Sequence, residues 1–184
     1  YVENLRHRIP PANLIFGQLV HQALAQLFTA KAEPVQFFAE AWYGLKNAEL
    51  GYGARDSWAR LESVGTLLLT KFVREESPKI SRVDSVERMF EVDITSLDLP
   101  FVGIIDLTAE VEGKHTVVDF KTSASSYDTH EAILSDQLTA YQLAVPEAQQ
   151  VALCVLVKTK EPRIEWYPTT RGSLETSEFL SKSR

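Results

Sequence analysis

The sequence predicts an α/β fold: a helical N-terminal region, then a mixed central sheet that opens as an antiparallel meander and is flanked by helices. Three observations carry this expectation. Through the first 80 residues apolar side chains recur at helical spacing. From Arg82 onward they alternate, or run in short blocks bounded by turn residues, as strands do. A further helical segment then separates the third strand from the last two.

The elements follow in order. Pro10-Pro11 breaks the opening segment, Asn13 can cap, and Leu14 to Thr29 reads as a helix with Leu14, Gly17, His21, Leu24 and Phe28 along one face. Pro34 can start a second helix reaching about Leu50, and Ser57 to about Glu76 gives a third that Pro78 ends. Strands are expected over Val86 to Thr95, Phe101 to Val111 and Lys114 to Thr122, separated by Leu97-Asp98-Leu99-Pro100 and by Glu112-Gly113. Ser123 to Tyr127 is a loop, and His130 to about Val145 is a helix ended near Pro146. Val151 to Val157 and Ile164 to Tyr167 complete the sheet. Both ends read as cut: Tyr1 begins in mid-pattern, and Ser173 to Arg184 resembles the beginning of a helix with no partner to pack on.

Composition narrows the function classes. With 184 residues the chain fits one domain of ordinary size. No segment approaches the roughly 18 uninterrupted apolar residues of a membrane span, so no membrane partner is expected. Tyr1 to Arg8 is too polar for a signal peptide, and the single cysteine, Cys154, can form no internal disulfide, which fits a cytoplasmic setting. One cysteine also excludes an iron–sulfur cluster or a four-cysteine zinc site held by these residues alone. His7, His21, His115 and His130 lack the close spacing of a zinc finger, so any metal must be held largely by oxygen. The net charge of −6 argues against a simple basic nucleic-acid-binding module and predicts weak autonomous grip on a phosphate backbone.

The hairpin Phe101 to Thr122 carries the most chemistry. If Glu112-Gly113 forms a two-residue turn, Val111 faces Lys114, and the same register puts Asp106 opposite Asp119 on one face. Opposed carboxylates destabilise a sheet, so something positive is expected between them. Lys121, two residues beyond Asp119, shares that face, while Val118 and Phe120 point the other way. Charged groups amid apolar strands call for a partner or a metal. The alternative is a buried Asp–Lys pair with a second Asp at the rim, and a three-residue turn at Glu112 to Lys114 would put Asp119 on the opposite face.

Gly103-Ile104-Ile105-Asp106, then Val118-Asp119-Phe120-Lys121-Thr122, then Gln137-x-x-x-Tyr141, preceded by Gly17-x-x-x-His21, stand in this order on the expected strand, strand, helix and N-terminal helix. This pattern, running from about Phe16 to about Lys158, resembles the PD-(D/E)XK nuclease superfamily, in particular its RecB-like branch, which includes AddB and CRISPR-associated exonucleases. The resemblance implies a restriction-endonuclease-like core within a nuclease domain spanning 1–184. Residues 1–80 would be mainly helical and carry the histidine motif, 82–168 would form the catalytic sheet and helix, and 173–184 a truncated tail. It implies a divalent cation, Mg²⁺ or Mn²⁺, held by His21, Asp106, Asp119 and the main-chain carbonyl of Phe120, a donor set of hard oxygens plus one imidazole. Lys121 would position the attacking water and stabilise charge on the phosphoryl group. Gln137 and Tyr141, four apart and so on one helical face, would lie beside the lysine and the DNA backbone, with Thr122 also facing DNA. Glu87 would be the acid of the first strand.

Each assignment has a plainer counterpart. His21 can be a packed core histidine, and Gln137 with Tyr141 an ordinary polar pair. Glu91 and Asp93 share a face with Glu87 and compete for its role. Relatives that hold an iron–sulfur cluster carry one cysteine before the core and three after it, a pattern absent here, and Cys154 reads as a small core residue. The function expected is metal-dependent hydrolysis of DNA phosphodiester bonds, as an exonuclease in repair or recombination, with a helicase or another repair subunit as partner. The second reading is a catalytically silent nuclease-like subunit that binds DNA or a partner. It is disfavoured because both acids and the lysine are present.

Overall fold

The computed structural model describes residues 9–92, 100–127 and 135–182. They fall into two compact units, 1–70 and 71–184. The first is helical: α1 (Ala12–Ala30), α2 (Pro34–Gly44) and most of α3 (Trp58–Lys71). Pro34 opens α2 at the position where a missing backbone N–H costs nothing. The second unit is α/β and contains β1 (Ile80–Val92), β2 (Phe101–Val111), β3 (Lys114–Ser123), α4 (Asp136–Ala144), β4 (Gln150–Val157), β5 (Arg163–Thr169) and α5 (Ser173–Lys182). No described helix is long and apolar enough to cross a membrane.

In the helical unit the core is aromatic. Phe16 meets Phe38 and Trp42 edge to face, and Phe38 stacks on Trp42 at 6.0 Å. This packing corrects the expected face of α1. The buried residues are Ala12, Phe16, Val20, Ala23 and Leu24, while Leu14 is 57% exposed. Helix α1 is apolar on more than one side, so spacing alone could not choose its inner stripe, and the Phe38–Trp42 pair selects the stripe that holds Phe16. Asn13 is not the cap. It lies inside α1 and donates to Asp56 at 2.9 Å, and Pro11 occupies the cap position without a side-chain bond. Helix α2 stops at Gly44, six residues short of the expectation. Regular α-helix in α3 ends at Lys71, and the remaining expected residues form a π-helical turn, Phe72–Glu76, before a 3₁₀ turn at Ser77–Lys79 that contains Pro78.

The five strands form one sheet in chain order, antiparallel except between β3 and β4, which are parallel. This is the expected meander within a mixed sheet. The turn Glu112-Gly113 has positive φ at both residues, 49° and 79°, as a two-residue I′ hairpin needs, and Val111 faces Lys114. Strand β1 starts at Ile80, earlier than Val86, because its first half is a mostly exposed stretch whose polar residues hide it from an apolar pattern. Its expected end at Thr95 lies outside the described residues, as do Asp93 and the start of the helix expected from His130. The described helix there, α4, begins at Asp136, where the Ser135 hydroxyl accepts from the Leu138 N–H. Beneath α4 lies an apolar core that includes Phe90, Ile105, Val117, Leu138, Tyr141 and the odd residues Val151 to Val157 of β4. The closing helix α5 does find a partner: Phe179 is buried in that core and meets Phe101 edge to face at 5.7 Å.

Candidate active site

β2 and β3 pair from Val111↔Lys114 to Leu107↔Val118, and the next step of that register sets Asp106 against Asp119. The strands part there. Ile105 belongs to the core beneath α4 with Val117, whereas Leu107 stands opposite Val118 on the other side of the sheet, so the alternation of β2 breaks at Asp106. The neighbouring strand bends at the same level. Glu87, bracketed by the pairs Val86↔Leu107 and Arg88↔Ile105, takes a positive φ of 48°. The Asp106 side chain reaches into the gap, and its Oδ2 accepts the Phe120 N–H at 2.8 Å in place of a ladder bond. A strand residue directs its N–H and C=O to the same edge, so the Phe120 carbonyl is aimed toward this gap as well. Its ring points the other way and packs against Phe72 at 5.7 Å.

Three side chains close a ring with Asp119. Lys121 Nζ lies 2.9 Å from Asp119 Oδ2 and donates to Gln137 Oε1 at 3.1 Å. Gln137 Nε2 donates to the Tyr141 hydroxyl at 2.7 Å, and that hydroxyl in turn lies 3.0 Å from Asp119 Oδ1 and 3.1 Å from the Ile104 carbonyl. Helical spacing of four residues lets α4 present Gln137 and Tyr141 together, and the Ser135 cap fixes where α4 starts. Burial, reinforced by the Asp119 carboxylate, pushes the Tyr141 phenol well above its ordinary pKa, so it stays protonated and serves as a donor. Burial raises the Asp119 carboxyl too; Lys121 opposes this and Asp106 adds to it.

One atom in the ring is only partly engaged. Asp119 is 2% exposed, and among the described residues its Oδ2 meets only the Lys121 ammonium, at 2.9 Å, which leaves it room to accept from a second partner. A buried carboxylate oxygen in that state suits a cation. The donor set fits a hard divalent ion: two carboxylates and a main-chain oxygen aimed at one gap. Among the described residues of the α/β unit no three His, Cys, Asp or Glu side chains gather as a metal-ligand cluster, so that unit's side chains would supply two ligands, Asp106 and Asp119. Lys121 has three N–H donors, and the two contacts above leave one for water or a phosphate oxygen.

Glu87 and Thr122 lie outside this ring. Glu87 is exposed, level with Asp106 on the outer strand. Thr122 falls on the Phe120 side of β3 by alternation. His21 lies midway along α1 in the helical unit and is half-buried. Cys154 is fully buried in β4, a core residue as its composition suggests. Sequence reasoning missed the Ile104 carbonyl, which no side-chain pattern reveals. It also missed the brace on the loop after β3. In that brace Arg163 donates to Glu165 and to the Ser126 hydroxyl, Ser126 donates to Glu165, and the Tyr167 hydroxyl lies within hydrogen-bond reach of Glu165 and the Tyr127 carbonyl. Glu165 is in register with Lys121 across Val155, so the brace lies two strands from the ammonium.

A sheet that presents two acids and a lysine at a break between central strands, closed by a Gln–Tyr helix, is the kind of arrangement that the sequence motifs led one to expect. The family model for the PD-(D/E)XK nuclease superfamily matches residues 1–180, and the chain belongs to that superfamily. Its nucleases generally use divalent metals such as Mg²⁺. Among solved structures the chain is similar to a candidate exonuclease from Eubacterium rectale, with a TM-score of 0.57 at 14% identity over 91% of this chain and 63% of that one. At that identity the likeness shows the fold alone, and this chain spans under two thirds of that protein's length. SSO0001 aligns with a TM-score of 0.42 at 18% identity, over 90% of this chain and 71% of its own. No curated protein matches the chain.

Proposed function

We propose that this chain hydrolyses phosphodiester bonds in DNA with a divalent cation, Mg²⁺ or Mn²⁺, held by Asp106, Asp119, the Phe120 carbonyl and His21. The observation that carries this reading is the buried Asp119 carboxylate held 2.9 Å from the Lys121 ammonium, beside the gap that the Asp106 side chain enters. When bound, the cation supplies Lewis acidity toward the phosphoryl oxygens and the attacking water. The chain's own residues do the rest. Asp119 and Gln137 orient Lys121, whose remaining N–H holds the water or the developing phosphoryl charge. Tyr141 keeps Asp119 in place from the far side. Thr122 and Glu87 are proposed as a DNA contact and a further acid of the site.

The order of motifs supports a place in the RecB-like branch and, with it, exonuclease action in repair or recombination. The net charge of −6 supports a helicase or other repair subunit supplying part of the grip on DNA. The test is a cleavage assay on end-labelled single-stranded and double-stranded DNA with Mg²⁺, with Mn²⁺ and with EDTA. Metal-dependent release of nucleotides from an end is expected. Intact DNA under every metal condition would refute the reading and leave a silent, DNA- or partner-binding subunit.

A further inference from the structure

Tyr43 lies in the last turn of α2 and Trp58 opens α3, and their rings meet edge to face at 6.5 Å. Lys46, on the turn between them, holds its Nζ 5.4 Å from the Tyr43 ring centre and 5.5 Å from that of Trp58. Trp58 is fixed from behind. Its indole N–H donates to the Trp42 carbonyl at 3.2 Å, and the Trp42 indole donates to the Trp58 carbonyl at 3.1 Å. Trp42 is wholly buried, whereas Tyr43 is 63% exposed. The result is a rigid corner that turns an aromatic ring and an ammonium outward.

Two charge observations bear on this corner. Among the described residues no carboxylate lies within ion-pair distance of Lys46, as holds also for Lys31 and Arg55 of the same unit, but Lys46 alone of the three is held against aromatic rings. Residues 1–70 hold six basic and six acidic side chains, so the whole excess of −6 falls in 71–184. In a chain whose acidic excess repels phosphate, the neutral helical unit turns outward an ammonium that among the described residues is held by rings rather than by an acid.

We infer that Tyr43, Lys46 and Trp58 form a stacking platform for unpaired bases of a nucleic-acid strand. A base stacks on the outward Tyr43 ring, and the Lys46 ammonium turns from the rings to the adjoining phosphate. This rests on the nuclease reading, since it assigns the ligand as the substrate strand. A flat ring with one cation matches a nucleotide, which offers one π face and one charge, better than an acidic peptide, which would call for several cations. Bases in a duplex already stack on each other and hide their faces, so the platform favours single strands. Because stacking supplies part of the affinity, that part survives added salt.

The test is fluorescence anisotropy of a labelled oligothymidylate and of a blunt duplex with the full chain in EDTA, which suppresses metal-dependent cleavage. Tighter binding of the single strand is expected. Tyr43→Leu should weaken strand binding by about fivefold to a hundredfold, as loss of one stacked base does, while Tyr43→Phe keeps the ring and stays within about twofold of wild type. Circular dichroism melting of Tyr43→Leu should match wild type, because the ring is exposed. Equal strand affinity for wild type and Tyr43→Leu, or no strand binding by wild type, overturns the platform. So does loss of self-association in Tyr43→Leu with strand binding intact, which would assign the corner to a second copy of the chain. The two readings fail separately. Strand binding that depends on Tyr43 without cleavage under any metal removes the nuclease and keeps the platform, whereas cleavage that Tyr43→Leu leaves unchanged, with unchanged binding, does the reverse.

Discussion

At Asp119 burial and charge pull against each other within one carboxylate. The side chain is 2% exposed, and burial raises its pKa, with Asp106 adding to the rise and Lys121 opposing it. A carboxyl whose folded-state pKa exceeds its unfolded value binds more protons when folded throughout the interval between the two. Stability therefore falls as pH rises through that interval, which begins near the ordinary carboxylate value of about 4. Asp119→Asn keeps the shape and removes the titration. In EDTA the variant should melt above wild type at neutral pH and should lack the part of the decline that Asp119 contributes. Melting curves from acid to neutral pH check this, and parallel declines in the two proteins would show that Asp119 is not the strained group.

Among the elements, the Glu112-Gly113 hairpin was the most legible, because turn chemistry and alternation together fix a register. Continued by one step, that register sets Asp106 against Asp119, and strand alternation adds Lys121 to the same face. The spacing of Gln137 and Tyr141 was legible for the same kind of reason, since four residues make one helical face. What stayed hidden depends on tertiary partners. The inner face of α1 is chosen by Phe38 and Trp42, and the break in β2 at Asp106 appears only where β3 moves away. The π-helical turn after α3 also carries no local signature, and its Phe72 is held by Phe120 on a strand far along the chain. Gly65 is a further case, read as ordinary helix in sequence. A Cβ there would lie 2.2 Å from the Phe38 ring, which is fully buried against Phe16 and Trp42 and has no room to yield. Gly65→Ala should therefore destabilise the helical unit by roughly 1–3 kcal/mol despite the better helix propensity of alanine. Urea unfolding followed by tryptophan fluorescence checks it, and a stabilised variant would contradict the close packing of α2 on α3.

For the whole molecule, charge and chemistry are divided unequally. The α/β unit carries the acids, the lysine and the entire net charge, while the helical unit carries His21 and is neutral. If His21 is a ligand, His21→Ala should weaken Mn²⁺ binding by roughly tenfold or more, with activity partly restored at higher Mn²⁺. Calorimetric titration and a metal-dependence series check this, and unchanged affinity would return His21 to the core. A cation that binds only the folded protein adds about 1.4 kcal/mol at tenfold excess over its Kd, a rise in Tm of roughly 3–6 °C. In the proposed mechanism metal binding and hydrolysis depend on different side chains, and one variant separates them. Lys121→Ala removes the ammonium proposed to face water and phosphate but leaves the proposed ligands Asp106, Asp119 and the Phe120 carbonyl. The decisive measurement is cleavage of end-labelled DNA by wild type and Lys121→Ala, with the metal-induced rise in Tm recorded for both. The account predicts that the variant keeps the rise and loses cleavage; cleavage by Lys121→Ala at near wild-type rate would contradict it.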